Sequence, residues 1–159
     1  MAKTASPQQP VAVNRKAYHD YFIEEEYEAG IVLTGSEIKS VRAGRVNLRG
    51  AYARVEHGEL WLFDAHISPN EQTSAYFQHE PLRPRKLLLH RNEINRLTGK
   101  LEQKGLTLVP LDIHFRNRRA KVKLGLARGK KLYDKREATA ERDSRREIER
   151  VLKQRRYDD

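Results

Sequence analysis

The feature that most constrains the fold is a regular alternation of apolar and polar residues in two adjacent segments, 111–116 and 120–127. Successive side chains of a β-strand point to opposite faces, so this period of two predicts two strands. Asn117 between them favours a tight turn, which makes the pair an antiparallel hairpin. We expect one face to be buried and the other, with the lysines, to be outside. The buried face carries Leu111, Ile113, Phe115, Ala120, Val122, Leu124 and Leu126, and the opposite face of the second strand carries Lys121, Lys123, Gly125 and Ala127.

The apolar residues just before this hairpin do not continue its alternation. Leu106 and Leu108 do not share the parity of Leu111, and Pro110 lies at the point of the slip. An extra residue in one strand of an antiparallel pair has this effect, so we expect a β-bulge here. Bulges also help small sheets to close into barrels.

The upstream sequence predicts further short strands. We interpret 18–27 and 31–33 as two strands joined by a turn at Gly30, and 51–63 as a hairpin that turns at its His-Gly pair. A polar segment with three prolines, 68–84, predicts a surface loop, and the leucines that follow it predict a short strand.

Two helices are predicted from their capping residues. Thr34 followed by Glu37 is the reciprocal capping pattern of a helix start, and Gly44 can end that helix. Asn92 can cap a second helix that ends before Gly105. The apolar stripe of this second helix consists of Ile94, Leu97 and Leu101.

These elements predict a mainly β fold. About six short antiparallel strands with two or three short helices are typical of a small antiparallel β-barrel of the oligonucleotide-binding type. A two-layer α+β sandwich remains an alternative at this point. We expect residues 1–13 to form a disordered leader, 14–129 the barrel, and 130–159 a basic C-terminal tail, since both ends offer little apolar surface to bury.

The tail is highly charged, with Ile148, Val151 and Leu152 as its large aliphatic residues beyond 133. Pairs of opposite charge four residues apart support a helix, but each adds only about 0.2–0.5 kcal/mol. We therefore expect a tail that is disordered when free and helical when bound.

The charge of the chain indicates a polyanionic partner. Lys and Arg total 32 against 22 Asp and Glu, which gives a net charge of +10. Ten of these cations, with one Asp, lie between His114 and Arg136. A solvated charged face usually mixes both signs, so this clustering favours nucleic acid. The absence of cysteine and of a long apolar stretch predicts a cytoplasmic protein.

No catalytic constellation is visible in the sequence. The Gly125–Lys131 segment has the wrong glycine spacing for a phosphate loop and lacks its Ser or Thr. The six histidines do not have metal-ligand spacing, and acids next to each other on a strand, such as Glu24 and Glu25, point to opposite faces. We expect no catalytic residue, metal or cofactor, and no membrane partner.

Three segments, Asn14–Gly44, Arg85–His90 and Lys121–Arg136, strongly resemble the SsrA-binding protein family, also called small protein B. The resemblance implies an oligonucleotide-binding barrel that binds the tRNA-like domain of transfer-messenger RNA (tmRNA), supports its alanylation and delivers it to stalled ribosomes for trans-translation. It implies indirect partnership with elongation factor Tu and alanyl-tRNA synthetase through the RNA. The protein body would occupy the place of the missing anticodon arm, and the tail would lie in the vacant messenger channel.

The resemblance also implies roles for individual residues. His19, Glu28, Leu88 and Lys121 match positions at the family's RNA-facing surface. Arg42, Arg45 and Lys123 join them on physical grounds, because cations can hold backbone phosphates. For the ribosomal decoding region and the messenger channel, we expect Gly129, Lys130, Lys131, Tyr133, Asp134, Lys135, Arg136, Val151 and Leu152. Tyr133 replaces a histidine of some family members, which favours stacking as its role.

Other functions stay open at this level. A constitutive ribosomal protein has a similar basic composition, and an RNA-processing enzyme would need a reactive group that the sequence does not display. A tail that only solubilises the protein is the alternative to a ribosome-binding tail.

Overall fold

The computed structural model describes residues 9–70, 72, 74, 76, 78–102 and 105–158. The strands among them are β1 (Ala12–Val13), β2 (Tyr21–Ile31), β3 (Val46–Asn47), β4 (Tyr52–Glu56), β5 (Glu59–Phe63), β6 (His66–Ile67), β7 (Arg85–Leu88), β8 (Leu106–Arg116) and β9 (Arg119–Gly129). The helices are α1 (Arg15–Asp20), α2 (Gly35–Arg42), α3 (Arg91–Leu101) and α4 (Leu132–Asp158). The chain divides into two compact units, the body Met1–Gly129 and the tail Lys130–Asp159.

The body is built around a nearly closed antiparallel ring. Its strands follow the order β8, β4, β5, β7, β2 and β9, and β9 pairs with β8 again. The weakest join is between β4 and β8, where the only paired residues described are Ala53 and Leu108. Short β1 pairs with β8 as well, and β3 and β6 form a separate two-stranded sheet. Seven strands in one sheet leave few edges unpaired.

The predicted final hairpin is confirmed, but Leu111 does not share the face of Ile113 and packs beside Gly125 on the other face. β8 and β9 pair over their length, and Asn117 and Arg118 turn the chain with φ of 51° and 64°. The register shifts between Pro110 and Asp112, which confirms the predicted bulge. The bulge gives β8 two inward faces. The large core contains Leu108 and Ile113, together with Ala29, Val41, Leu60, Leu62, Leu87, Leu97, Val122, Leu124 and Leu126.

The outward assignment of the lysine face is wrong for half of β9. Gly125 and Ala127 are buried, because a second, smaller cluster of Ala17, Val109 and Leu111 packs there. A Cβ at Gly125 would lie 3.0 Å from Leu111 Cδ1, so glycine provides the space that this side chain fills.

Residue Gly30 does not form a turn. β2 runs unbroken from Tyr21 to Ile31, and Gly30 lies inside it opposite both Leu88 and Lys121. The prediction of two strands was wrong because glycine serves here for close approach of neighbouring chains rather than for a positive φ. The residues before β2 form the short helix α1, which Asn14 caps, and this helix was not predicted.

The capping prediction for α2 is confirmed, and that for α3 is wrong at its start. Thr34 and Glu37 form the full capping box, and Gly44 follows the helix with φ of 74°. In α3 the N-cap is His90, which makes no side-chain capping bond, and Asn92 lies within the helix. The hairpin of β4 and β5 turns at His57 and Gly58 as expected.

Two of the predicted boundaries change. Ala12 and Val13 pair with β8 and the Val11 N–H donates to the Ile113 carbonyl, so the expected leader does not extend to residue 13. Residues 1–8 of that leader lie outside the described residues. The tail contains one helix of 27 residues, α4, rather than a disordered segment, and the architecture is therefore mixed α/β rather than mainly β.

Local interactions account for α4. Asp134 in its first turn accepts a hydrogen bond from the Lys131 N–H at 3.1 Å, and the Lys135 N–H donates to the Lys131 carbonyl. Acidic residues at a helix start and basic residues at its end, here Arg155 and Arg156, both interact favourably with the helix dipole.

Candidate nucleic-acid interface

A groove of about 370 Å³ lies where β2, β7 and the β8–β9 turn meet the side of α2. We call it the basic groove. It is lined by the cations Arg42, Arg118, Arg119 and Lys121, and none of its described lining residues is acidic. Its remaining lining residues are Gly30, Ile31, Val32, Leu33, Ile38, Leu88, Phe115 and Ala120.

Residue Gly30 explains how this groove forms. A Cβ at Gly30 would lie 3.3 Å from Leu88 Cβ and 3.7 Å from Lys121 Nζ. The missing side chain lets an apolar group from β7 and a cation from β9 approach each other across β2. Leu88 remains 52% exposed, although it is aliphatic. The predicted residues Leu88, Lys121 and Arg42 are therefore brought together.

Arg42 contacts an aromatic ring of β8. Its guanidinium lies 5.9 Å from the centre of the Phe115 ring, a cation–π arrangement with β8. Arg45 follows α2 and lies on another side, in a shallow depression with Lys39, Asn70 and Gln72. Its carbonyl accepts a hydrogen bond from the Ser68 N–H at 3.0 Å. Arg45 is thus separated from the basic groove.

A buried ion pair fixes the start of α2. Glu37 and Arg85 are both completely buried and are joined by a salt bridge, and Arg83 Nη2 lies 2.5 Å from the other Glu37 oxygen. Arg85 also donates to the carbonyl of Ala65 at 2.7 Å. Burial alone would raise the pKa of Glu37, but hydrogen bonds from Arg83, the Thr34 N–H and Arg85 outweigh it and lower that pKa. The helix that carries Arg42 is therefore held by charge-assisted bonds.

A second groove of about 550 Å³ lies over β2, β8 and β9, and we call it the paired groove. In contrast to the basic groove, its cations are neutralised by neighbouring carboxylates. Arg116 Nη2 lies 3.0 Å from Glu28 Oε2, and Lys123 Nζ lies 3.2 Å from Glu26 Oε2. The groove is lined by Gln9, Pro10, Glu26, Tyr27, Glu28, Asp112, His114, Arg116 and Lys123.

The predicted residues Glu28 and Lys123 meet in this groove, since they are paired directly across β2 and β9. His114 connects Glu28 to Asp112, with Nε2 at 3.5 Å from Glu28 Oε2 and Nδ1 at 2.7 Å from Asp112 Oδ1. Burial would lower the pKa of Lys123, but its hydrogen bond to Glu26 outweighs this and raises it. Lys123 is therefore charged throughout the physiological pH range.

The other acids of β2 have basic partners too. Arg128 Nε lies 3.0 Å from Glu24 Oε1, and Glu25 pairs with Lys100 of α3 on the opposite face of the strand. A hydrogen bond from Lys100, followed by one from Tyr27, lowers the pKa of Glu25. Cross-strand and strand–helix ion pairs thus occupy the acidic run of β2.

His19, like Arg45, lies apart from the two grooves. It lies in the last turn of α1 and its Nδ1 is 3.0 Å from Asp20 Oδ1. It lines neither groove.

The predicted tail residues follow one another from the end of β9 into α4. Gly129 is the last residue of β9 and lies opposite Tyr21, and Lys130 and Lys131 connect it to the helix. Val151 and Leu152 are 52% and 53% exposed, and Ile148 is exposed beside them. The first turns of α4 contain Tyr133, whose side chain lies outside the described residues, and Asp134, Lys135 and Arg136.

Sequence reasoning missed several lining residues of the basic groove. Arg118 and Arg119 lie within the basic cluster that the charge count detected, but their direction depends on the hairpin turn. Val32 and Phe115 were assigned only to strands. In the paired groove, His114 and Arg116 were not selected.

Among the residues that the structure describes, no group of His, Asp and Glu side chains is arranged to hold a metal ion. No helix that the structure describes has the length and apolar character needed to cross a membrane.

Comparison with known proteins gives consistent matches. The family model described as SmpB protein matches residues 11–154. An SsrA-binding protein of Roseiflexus sp. (strain RS-1) is 66% identical over 155 residues, which cover 98% of each chain. One from Chloroflexus aurantiacus (strain ATCC 29366 / DSM 635 / J-10-fl) is 68% identical over 148 residues, which cover 93% of this chain and 92% of the relative.

A solved chain from a study of tmRNA–SmpB in the bacterial ribosome is similar in structure as well. It matches with a TM-score of 0.67 and 57% identity, over 82% of this chain and 95% of that chain.

Proposed function

The chain belongs to the SmpB family of SsrA-binding proteins, and on this basis we propose separate roles for its body and its tail in trans-translation. The protein binds tmRNA, and the complex acts on the ribosome. The family consists of RNA-binding proteins rather than enzymes. The observation that carries the assignment is the match of the family model over residues 11–154.

In this proposal the body binds the tRNA-like domain of tmRNA and supports its alanylation. Its ring is a barrel of the oligonucleotide-binding type, a fold that presents a curved sheet and its loops to nucleic acid. Elongation factor Tu and alanyl-tRNA synthetase become partners through the RNA, in the cytoplasm. No cofactor takes part.

The RNA-binding residues fall into three groups. Arg42, Leu88 and Lys121 act together in the basic groove, where no carboxylate among the described lining residues competes with phosphate for the cations. Glu28 and Lys123 act in the paired groove, where carboxylate oxygens can accept hydrogen bonds from bases or ribose hydroxyls. His19 and Arg45 contribute at separate points of the surface.

The tail acts after delivery, at the decoding region of a stalled ribosome. The cations Lys130, Lys131, Lys135 and Arg136, with Asp134 and Gly129, contact ribosomal RNA, and Tyr133 stacks on a base. The exposed Val151 and Leu152 rest on the wall of the vacant messenger channel. A channel that still holds messenger RNA excludes α4, which limits delivery to ribosomes without a usable codon.

The experiment that tests this function is sequencing of the RNA that co-purifies with the tagged protein from its own cells. The wash uses moderate salt, because contacts to phosphate alone weaken steeply as salt rises. Strong enrichment of tmRNA is the expected result. Recovery of bulk ribosomal RNA without that enrichment would instead favour a constitutive ribosomal protein.

A further inference from the structure

The paired groove holds a histidine that faces two carboxylates. His114 of β8 is 9% exposed, and its Nδ1 lies 2.7 Å from Asp112 Oδ1 while its Nε2 lies 3.5 Å from Glu28 Oε2. An ionised carboxylate can only accept a hydrogen bond, so a ring nitrogen that faces one needs a proton of its own. Both contacts are therefore attractive only in the doubly protonated, positively charged form of the ring.

The two contacts of His114 are not equivalent. The contact with Asp112 has the length of a charge-assisted hydrogen bond, whereas the contact with Glu28 is longer. A neutral imidazole carries one proton, and the closer carboxylate keeps that proton on Nδ1. Loss of the second proton then leaves a lone pair on Nε2 that faces the Glu28 carboxylate and repels it. A change of charge at His114 therefore acts mainly on Glu28.

The carboxylate of Glu28 has one oxygen that two cations can hold. Arg116 Nη2 lies 3.0 Å from Glu28 Oε2, which is the same oxygen that His114 faces. Contacts from two sides at Oε2 fix the orientation of the carboxylate and leave Oε1 for an outside donor. The Glu28 side chain is 31% exposed, so an N–H group of a base or a ribose hydroxyl can reach it.

The charge balance of the paired groove also depends on His114. The described residues that line the groove include three carboxylates and, besides His114, two cations. A protonated His114 brings this set to neutrality, whereas a neutral one leaves an excess of negative charge that repels RNA. The charged or titratable groups of this region are Glu26, Tyr27 and Glu28 of β2, Asp112, His114 and Arg116 of β8, Lys121 and Lys123 of β9, and Tyr18 of α1.

We propose that His114 is a positioning residue for tmRNA binding, which in its protonated form holds Glu28 Oε2 so that Oε1 accepts a hydrogen bond from the RNA. This inference rests on the proposed role of Glu28 in RNA binding and adds the residue that orients it. Asp112 orients the ring of His114 in turn. The affinity for tmRNA therefore falls as pH rises through the range in which histidines lose their charge, about pH 5 to 8.

The test measures tmRNA affinity across this pH range, at constant ionic strength, for the unmodified protein and for His114→Gln. Glutamine does not titrate, and its amide can still donate a hydrogen bond to Asp112. The contact of His114 with Glu28 is a partly exposed ion pair, so affinity should fall by roughly threefold more in the unmodified protein than in the variant. His66→Gln is the matched control, because His66 is exposed on β6 and lines neither groove. It should keep the full pH dependence.

A double-mutant cycle distinguishes positioning from a merely structural role. Glu28→Gln turns its amide oxygen towards the cations and presents N–H groups to the RNA, so it should weaken binding by itself. In that background His114→Gln should have no further effect on affinity or on its pH dependence, since the carboxylate through which His114 acts is missing. Thermal unfolding without RNA checks that each variant is folded.

A measurement on the unmodified protein avoids any effect of substitution on folding. If the protonated ring favours tmRNA binding, then tmRNA binding must favour the protonated ring to the same extent. With isotope-labelled histidine, the nuclear magnetic resonance signal of His114 should therefore change at a higher pH in the tmRNA complex than in the free protein. The signal of His66 should move much less.

Any one of three results would overturn the inference. His114→Gln would keep the full pH dependence, it would weaken binding equally with and without Glu28→Gln, or the titration of His114 would not respond to tmRNA. Failure of the unmodified protein to bind tmRNA at any pH is a different result, because it would overturn the proposed function itself.

Discussion

The body and the tail are stabilised in different ways. In the body, antiparallel pairings between distant segments surround a core in which Leu60, Leu108 and Leu124 are completely buried. In α4, none of the side chains that the structure describes is buried. The geometry of the body is therefore fixed by packing before any partner binds, whereas α4 depends on local helical interactions and keeps its surface free for contacts. This difference suits the roles that we propose, a preformed RNA-binding surface for the body and contacts in a ribosomal channel for the tail.

The largest effect that separates the two units is expected for the start of α4. The combined substitution Asp134→Ala, Lys135→Ala and Arg136→Ala should abolish peptide tagging on stalled ribosomes while tmRNA affinity stays within about twofold, a change of under 1 kcal/mol. The reason is the role after delivery that we propose for these residues. Tagging of a reporter in a reconstituted translation system and direct binding of tmRNA are measured with the same preparations.

A matched control lies further along the same helix. Asp143→Ala, Arg145→Ala and Arg146→Ala also remove one acid and two cations. This variant should retain much more tagging than the first. Equal loss of tagging and of tmRNA affinity in the first variant would contradict the division between body and tail.

In the body, the largest loss of stability is expected on breaking the buried ion pair. Glu37→Gln leaves the buried Arg85 without its counter-charge, and this type of change costs about 3–5 kcal/mol. Unfolding in urea gives the free energy. Glu59→Gln breaks the exposed pair with Lys86 and should cost at most about 1 kcal/mol. Similar losses in the two variants would disprove the role assigned to burial.

The same residue makes the stability of the body depend on pH. The pKa of Glu37 is lower in the folded protein than in the unfolded chain, where a glutamate has a pKa of about 4.3. Its contribution is therefore complete above that value and is lost as pH falls through the folded pKa. The free energy of unfolding, measured in urea, should decline from pH 6 to pH 3. In the Glu37→Gln variant this decline should be smaller. A decline of the same size in both proteins would exclude Glu37 as a cause.

One substitution made in both units sharpens the comparison of their packing. Leu124→Ala creates a cavity in the core of the body and should cost about 2–5 kcal/mol. Leu152→Ala in α4 removes a side chain that is 53% exposed and should change stability by at most about 0.5 kcal/mol. Thermal unfolding measures the stability of both variants. A large loss of stability for Leu152→Ala would contradict the exposed position of this side chain.

The smallest expected effect concerns the ion pairs of α4. The sequence places Glu141 four residues before Arg145, and such a pair contributes about 0.2–0.5 kcal/mol to a helix. Glu141→Ala should therefore leave the helical signal in circular dichroism almost unchanged. A collapse of that signal would mean that the pair, rather than helix propensity along the whole segment, maintains α4.

The sequence predicted the fold best where burial of one strand face requires apolar and polar residues to alternate. The β8–β9 hairpin and the bulge beside Pro110 followed from parity alone, because a shift of one residue exchanges the buried and exposed faces. The capping box of α2 is equally local. Gly30 could not be interpreted in this way, since its role depends on Leu88 and Lys121, which approach it from distant parts of the chain.

The candidate site was predictable in composition but not in arrangement. The excess of cations between His114 and Arg136 is visible in the sequence. Some of these cations form ion pairs with carboxylates of β2, and the strand register decides which ones do. The register places Glu28 opposite Lys123 and brings Glu26 within ion-pair distance of Lys123. The contrast between a paired groove and a basic groove therefore required the fold. The tail was expected to be disordered when free because it has few apolar residues and its charge pairs are weak, whereas the structure contains the 27-residue helix α4.

We propose that the body binds tmRNA and that the tail contacts the ribosome. Ultraviolet cross-linking followed by mass spectrometry of the cross-linked peptides tests it most directly, in the free tmRNA complex and on stalled ribosomes. We predict that tmRNA cross-links fall within residues 14–129 in both samples, and that cross-links of Leu132–Asp158 to ribosomal RNA appear only on the ribosome. Cross-links of α4 to tmRNA in the free complex, with none in the body, would contradict the account.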